Sequence, residues 1–260
     1  MSQVKVGLSM LFCLGEGFPL MLKHIEEFDT HYVELVDDGL HTLDDKRVEA
    51  LNHMAGAFNI EYTLHAPFAD INIAASDRRL RRFITKRLEK SIQYAQELGC
   101  LLWVFHPGFH SAISSFYPGW DWRVNLESVK TLLELGRKYN VKIAIENIPE
   151  IFPSLLKSVS DFSRFYDELD EDVGMVLDVG HANVNGQTKE FMDKFRDEII
   201  HMHVSDNDGK QDSHLGIAKG TVDWQDFAKS FRRMQFRGVV IVESIQDVRQ
   251  SLQNLREFLS

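Results

Sequence analysis

Short runs of β-branched and aromatic residues alternate along the chain with longer stretches in which apolar residues recur every three or four positions. The first pattern is that of a strand buried on both faces, the second that of a helix with one buried face. Eight strand runs are predicted: Val4–Ser9, Tyr32–Val36, Glu61–His65, Leu101–His106, Lys142–Glu146, Gly174–Asp178, Ile199–Val204 and Val239–Glu243. Helical stretches lie at Phe18–Phe28, Asp44–Phe58, Asp77–Leu98, Trp122–Tyr139, Val159–Leu169, Thr188–Phe195, Trp224–Met234 and Asp247–Leu259. Regular βα alternation implies parallel strands joined by crossover helices. Eight of each implies closure, an α/β fold with a single (β/α)8 TIM barrel. An open doubly wound sheet usually carries a glycine-rich turn after its first strand, and Gly15-Glu16-Gly17 does not have the GxGxxG spacing.

A length of 260 residues suits one barrel domain spanning 1–260. The composition, 44% hydrophobic and 26% charged, is that of a globular chain, and no apolar run approaches the roughly 18 residues of a membrane span. Met-Ser-Gln-Val-Lys leads directly into the first strand without the features of a signal peptide, so a cytoplasmic protein with no membrane partner is expected. Cys13 and Cys100 lack CxxC spacing and are expected to be small buried residues. The formal charge of −10 argues against a large nucleic-acid footprint, which needs clustered Lys and Arg. Oligomeric state is not legible.

The candidate chemistry lies at the strand ends. His65, His106, Glu146, Asp178, His203 and Glu243 each fall at or near the C-terminal end of a predicted strand, and in a barrel those ends converge on one mouth. Charges there are costly unless paired or bound to a metal. His181 follows Asp178 by three residues in LDVGHAN, and Asp212 and His214 stand two apart in DSHLGIAKG. Imidazole and carboxylate without thiolate suit Zn, Mn or Fe.

These residues lie in LHAPFADINIA, VFHPGFH, AIENIPE, VLDVGHAN, HVSDN, DSHLGIAKG and IVES, in that order. Together they resemble the xylose isomerase-like barrel superfamily over nearly the whole chain, and within it endonuclease IV, the metal-dependent nuclease of abasic DNA. The resemblance implies up to three divalent ions, zinc foremost, with Mn or Fe as alternatives. His65, His106 and Glu146 would hold one; Glu146, Asp178, His203 and Glu243 the second; His181, Asp212 and His214 the third. A sugar isomerase or epimerase of the same superfamily would use only the second group. The chain departs from the nuclease where a loop bearing Arg and Trp would enter DNA: here the stretch is VDDGLHTLDDK. Phe68-Ala69 stands where the nuclease has a Tyr-Leu wedge.

The expected function is therefore metal-dependent phosphoester hydrolysis on a small sugar or sugar-phosphate substrate, with Glu146 bridging two ions and abasic DNA disfavoured. The alternative is a metal-dependent isomerase or epimerase in which Glu146 and Glu243 exchange a proton at carbon. A barrel that binds metal or sugar without catalysis is the third reading. Phe68, His110, Asn147 and Asp206 are the expected substrate contacts or supports of the ligands. The loop from Gly108 to Asp121 and nearby Trp122 are rich in aromatics, divided evenly between stacking on substrate and packing on the rim. Arg78, Arg79, Arg81 and Arg82 read as a solvated helix face, and His24, His31, His41, His53 and His201 are expected to have no metal role.

Overall fold

The computed structural model describes residues 4–28 and 30–260. Its eight strands are β1 (Lys5–Ser9), β2 (Tyr32–Val36), β3 (Glu61–His65), β4 (Trp103–Phe105), β5 (Ile143–Glu146), β6 (Gly174–Asp178), β7 (Ile199–Val204) and β8 (Val239–Val242). Each pairs in parallel with the next, and β1 closes on β8 through the register Lys5↔Val239 to Leu8↔Val242. Among the described residues the helices are α1 (Phe18–Phe28), α2 (Asp45–Phe58), α3 (Arg78–Glu97), α4 (Trp120–Tyr139), α5 (Val159–Leu169), α6 (Val179–Val184), α7 (Thr188–Lys194), α8 (Trp224–Met234) and α9 (Val248–Leu259). The closed barrel is thus as expected from the alternation. Two details differ. Strand β4 is three residues rather than six, leaving His106 just beyond it, and the short helix α6 follows β6 directly.

Alternation along the strands divides the interior into two environments. Leu8, Leu35, Leu64, Phe105, Ile145, Leu177 and Val242 face the helices and belong to the main core. The opposite faces point into the barrel. At the N-terminal end of the barrel Leu102, Val104, Ala144 and Val176 form a small separate apolar plug, with Ile200 packed against it. Register shifts between β6 and β7, so that Met175 pairs with Ile199 and Val176 with His201; Ile200 is the extra residue of a β-bulge. Above the plug the inward positions are polar: Glu34, Thr63 and His201 are all buried, and the strand ends carry the candidate ligands. A packed floor and a polar mouth is the layering that seats a site at the C-terminal face.

The loop after β2 is held by charge. Asp37 is fully buried and receives both guanidinium nitrogens of Arg87 from α3, at 2.7 and 2.8 Å, while its Oδ1 accepts the Leu43 N–H at 2.7 Å. Arg87 also donates to the Asp37 carbonyl, so one side chain ties helix to loop. Asp38 accepts the N–H groups of Gly39, Phe68 and Ala69. The acidity of VDDG is therefore spent inside the protein and does not form an acidic rim.

Arg87→Ala leaves the Asp37 carboxylate buried without its counter-charge. Because Arg87 is itself about one-third exposed, the expected cost is about 2–3 kcal/mol, below the full value for a buried pair. Urea titration should show a clearly lowered midpoint; an unchanged midpoint would contradict this role for the pair.

Candidate functional site

Nine expected ligands come together at the mouth in three groups, each with its donor atoms within 4.8 Å of one another. His65 ends β3, His106 follows β4 and Glu146 ends β5. Their donors form a near-equilateral triangle: His65 Nε2 to His106 Nε2 is 3.1 Å, and each lies 3.3 Å from Glu146 Oε2. The other oxygen, Glu146 Oε1, faces a second group, 3.3 Å from His203 Nδ1 and 3.5 Å from His181 Nδ1. His203 Nδ1 is also 3.6 Å from Glu243 Oε1, and Asp178 completes that group. In the third, Asp212 Oδ2 lies 3.2 Å from His181 Nε2 and 3.3 Å from His214 Nε2.

The local sequence explains the aim of these side chains. Asp178 caps α6, its Oδ1 accepting the His181 N–H at 2.6 Å, which fixes LDVGHAN as a strand that turns at once into a helix. The loop carrying Asp212 and His214 is pinned where Asp206 and Leu215 exchange backbone hydrogen bonds. His214 sits at φ +43, a left-handed conformation uncommon outside glycine, which histidine tolerates better than most residues. Its carbonyl accepts the Ile245 N–H and its Nδ1–H donates to the Glu243 carbonyl. His65 likewise donates Nδ1–H to the Ala66 carbonyl, and His181 to the Asn147 carbonyl. A carbonyl has no proton to give, so in each ring Nδ1 is the donor and Nε2 is left as a lone-pair donor toward its group.

The electrostatics are those of a crowded anionic pocket. Burial and the Glu146 and Glu34 charges push Glu243 up to about 7 despite the opposing pull of His203. Burial likewise raises Asp178, whereas the His203 and His106 charges overcome burial and hold Glu146 well below the usual carboxylate range. His181 and His203 are buried, which favours their neutral forms, yet the surrounding carboxylates raise both well above the ordinary imidazole value; His214 is raised to about 9 in the same way. Asp178 Oδ2, Asp212 Oδ1 and His203 Nδ1 are buried without a hydrogen-bond partner. Orphaned donors of this kind, in an imidazole and carboxylate set, fit divalent cations. Bonds of about 2.0–2.1 Å around a tetrahedral ion put neighbouring donors about 3.3 Å apart, close to the spacings in the His65 and Asp212 groups.

The supporting residues take varied places. Phe68 is half-buried, its ring edge-on to His65 at 5.4 Å and 5.6 Å from His106. Asn147 is fully buried and brackets Asp178, accepting its N–H and donating to its carbonyl. Asp206 is fully buried and occupied by the Asn207 and Val222 N–H groups and the Trp224 indole. His110 keeps an exposed ring whose Nδ1 lies 2.6 Å from the buried Asp121 carboxylate. Of the aromatics around that loop, Trp122 packs into the core, while Phe116, Tyr117 and Trp120 are exposed. Two buried residues went unread in the sequence as part of the site. Glu34 and His201 lie against His203 and form a fourth metal-capable group with it. An acidic residue in the apolar run YVELV, and a histidine two positions before His203 on the same strand face, were the available signals. A groove of about 1160 Å3 lies elsewhere, between the C-terminal ends of α4 and α5 and the start of β7, and contains none of these groups.

Residues 22–258 match the family described as xylose isomerase-like TIM barrel. An uncharacterized protein of Methanocaldococcus jannaschii, MJ1311, is 30% identical, with 98% of this chain and 89% of that protein covered. A probable endonuclease 4 of Aquifex aeolicus is 25% identical over 71% of this chain and 70% of its own. Among solved structures, a D-tagatose 3-epimerase-like protein superposes with a TM-score of 0.92 at 28% identity, covering 98% of this chain and 97% of its own. The IOLI protein, solved with a binding zinc atom, shares the fold at a TM-score of 0.80 and 18% identity, with 98% and 96% covered. The chain belongs to the xylose isomerase-like TIM-barrel family.

Proposed function

We propose that this chain is a metal-dependent phosphoesterase acting on a small sugar-bearing substrate. The observation that carries the reading is the division of Glu146, one oxygen turned to the His65–His106 pair and the other to His203 and His181. A mononuclear sugar epimerase needs only Glu146, Asp178, His203 and Glu243. It leaves His65, His106, His181, Asp212 and His214, all gathered at the same mouth, without a task. The zinc of the IOLI protein and the chemistry of the donors support zinc as the ion. Bound there, such ions would supply Lewis acidity toward a phosphoryl oxygen and neutralise charge developing on the leaving oxygen.

The chain's own residues do the rest. Glu146 is held between the groups by four imidazoles and orients the nucleophile. Phe68 offers an apolar wall beside His65 for one face of a sugar, and His110, braced by Asp121, offers a polar contact at the rim. Asn147 and Asp206 act by holding Asp178 and the Asp212 loop in place rather than by touching substrate. The epimerase reading has its own support in the likeness to the D-tagatose 3-epimerase-like protein, and in Glu146 and Glu243, which both approach His203 Nδ1. There the two carboxylates would exchange a proton with a carbon beside a polarised carbonyl. Duplex DNA is disfavoured. Phe68 is packed against His65, and Ala69 offers no wedge to offset the few kcal/mol of unstacking an extruded nucleotide costs.

Zinc-loaded protein is expected to release phosphate from members of a sugar-phosphate panel faster than it nicks an abasic-site duplex at physiological salt. Epimerised free ketose without phosphate release would favour the runner-up, and efficient site-specific nicking would overturn the exclusion of DNA. Glu146→Gln should lower turnover of the best substrate by about 10²–10⁴-fold, the range for losing a residue that handles a proton or nucleophile. A variant retaining most of its activity would contradict both mechanisms.

Zinc uptake should also expel protons, because His181, His203 and His214 hold theirs more tightly than free imidazole in the metal-free pocket. The raised values mean that protons occupy these rings below their folded-state pKa and compete with the metal there, so affinity should fall as pH is lowered through neutrality. Calorimetry at pH 7 in two buffers of different ionisation heat should report release of more than one proton; none released would contradict the assignment of these rings as ligands.

A further inference from the structure

Glu34 is buried in the middle of β2, below the three ligand groups, and among the described residues its ion-pair partners are histidines, not lysine or arginine. Its Oε2 accepts the Thr63 hydroxyl at 2.9 Å and faces His201 Nε2 at 3.1 Å. Its Oε1 lies 2.8 Å from His203 Nε2, an oblique approach in which neither atom completes a hydrogen bond. The opposite nitrogen of that ring, Nδ1, is the one aimed at Glu146 and Glu243. His65, His181 and His214 are oriented by backbone carbonyls, but His203 has a carboxylate in that place. It also presents the opposite nitrogen to the mouth. A carboxylate behind a ligating imidazole fixes its tautomer and raises its basicity.

We propose that Glu34 is the positioning residue of His203, holding the proton on Nε2 and the lone pair of Nδ1 toward the ion shared by Glu146, Asp178 and Glu243, with Thr63 and His201 holding Glu34 in turn. The inference rests on the metal reading above. It explains why a carboxylate stands in a strand interior that is otherwise apolar, and why His201 repeats His203 two residues earlier on the same face. An ion held instead among Glu34, His201 and His203 is the competing arrangement. It fits less well, because 2.8 Å is shorter than the roughly 3.3 Å between neighbouring donors of a tetrahedral ion, and Thr63 already occupies Oε2.

Two measurements test it. In the zinc-loaded wild-type protein, long-range proton–nitrogen correlation spectra of the histidine rings should show His203 ligated through Nδ1 with Nε2 protonated. Ligation through Nε2, or an unprotonated Nε2, overturns the proposal. Glu34→Gln keeps the shape and removes the charge. In cobalt titrations followed by visible absorption, it should weaken uptake at the His203 group about 10–100-fold, leave the other two groups unchanged and leave the metal-free melting temperature within a few degrees. Unchanged affinity at the His203 group overturns the proposal, and if the variant does not fold, the wild-type spectra decide alone. Wild-type protein that takes up no cobalt and no zinc removes the metal reading itself, and this inference with it, a result distinct from metal bound normally without help from Glu34.

Discussion

Four carboxylates, Glu34, Glu146, Asp178 and Glu243, are buried inside one barrel, and no lysine or arginine is buried with them among the described residues. Desolvating that much negative charge is affordable only with positive charge at short range. In the metal-free pocket histidines supply it by holding protons, which is why His181 and His203 are pulled so far from their ordinary values and why Glu243 is driven toward neutrality. Divalent ions would satisfy the same demand more completely, since each brings two charges to a set of donors already spaced for coordination. The constraint also dictates the layering of the barrel: an apolar plug below, then the Glu34 layer, then the ligands.

Rigid backbone aims the site. Three imidazoles are oriented by backbone carbonyls: His65 by that of the next residue, Ala66, His181 by that of Asn147 beside Glu146, and His214 by that of Glu243, so two strand ends help orient a neighbour's ligand. Asp178 serves at once as a candidate ligand and as the cap of α6, which couples the start of that helix to the position of His181. Farther out, the Arg87–Asp37 pair and the Asp38 contacts fix the β2 and β3 loops to each other, placing Phe68 against His65. Such an interlocked arrangement suits chemistry that depends on pre-placed charge rather than on closure of a mobile lid.

Much of this was legible in the sequence because barrel topology converts a one-dimensional regularity into a place. Strand runs ending in His, Glu or Asp converge at one mouth once the barrel closes, whereas the division of the ligands into groups was implied by the resemblance to endonuclease IV. What stayed hidden depended on partners distant in the chain. The acidic start of VDDGLHTLDDK counted against DNA, but Arg87, fifty residues away, consumes Asp37, and the Phe68 and Ala69 amides consume Asp38. Glu34 was not singled out, since nothing local marks which face of YVELV points inward. His201 was set aside because it precedes the strand end, yet the period of two puts it on the face of His203, and the bulge at Ile200 shifts the register beneath it. Asn147 and Asp206 neighbour candidate ligands in the sequence, but only their hydrogen-bond partners distinguish holding a ligand or loop from touching a substrate.

The central claim is that the mouth of this barrel holds a cluster of ions and not one. Crystals grown from zinc-replete protein, with diffraction recorded on both sides of the zinc absorption edge, test it most directly. The account predicts more than one anomalous peak per chain, within the His65–His106–Glu146, Glu146–Asp178–His203–Glu243 and His181–Asp212–His214 groups. A single fully occupied peak in the Glu146–Asp178–His203–Glu243 group, with His65, His106, His181, Asp212 and His214 turned away from any ion, would contradict it.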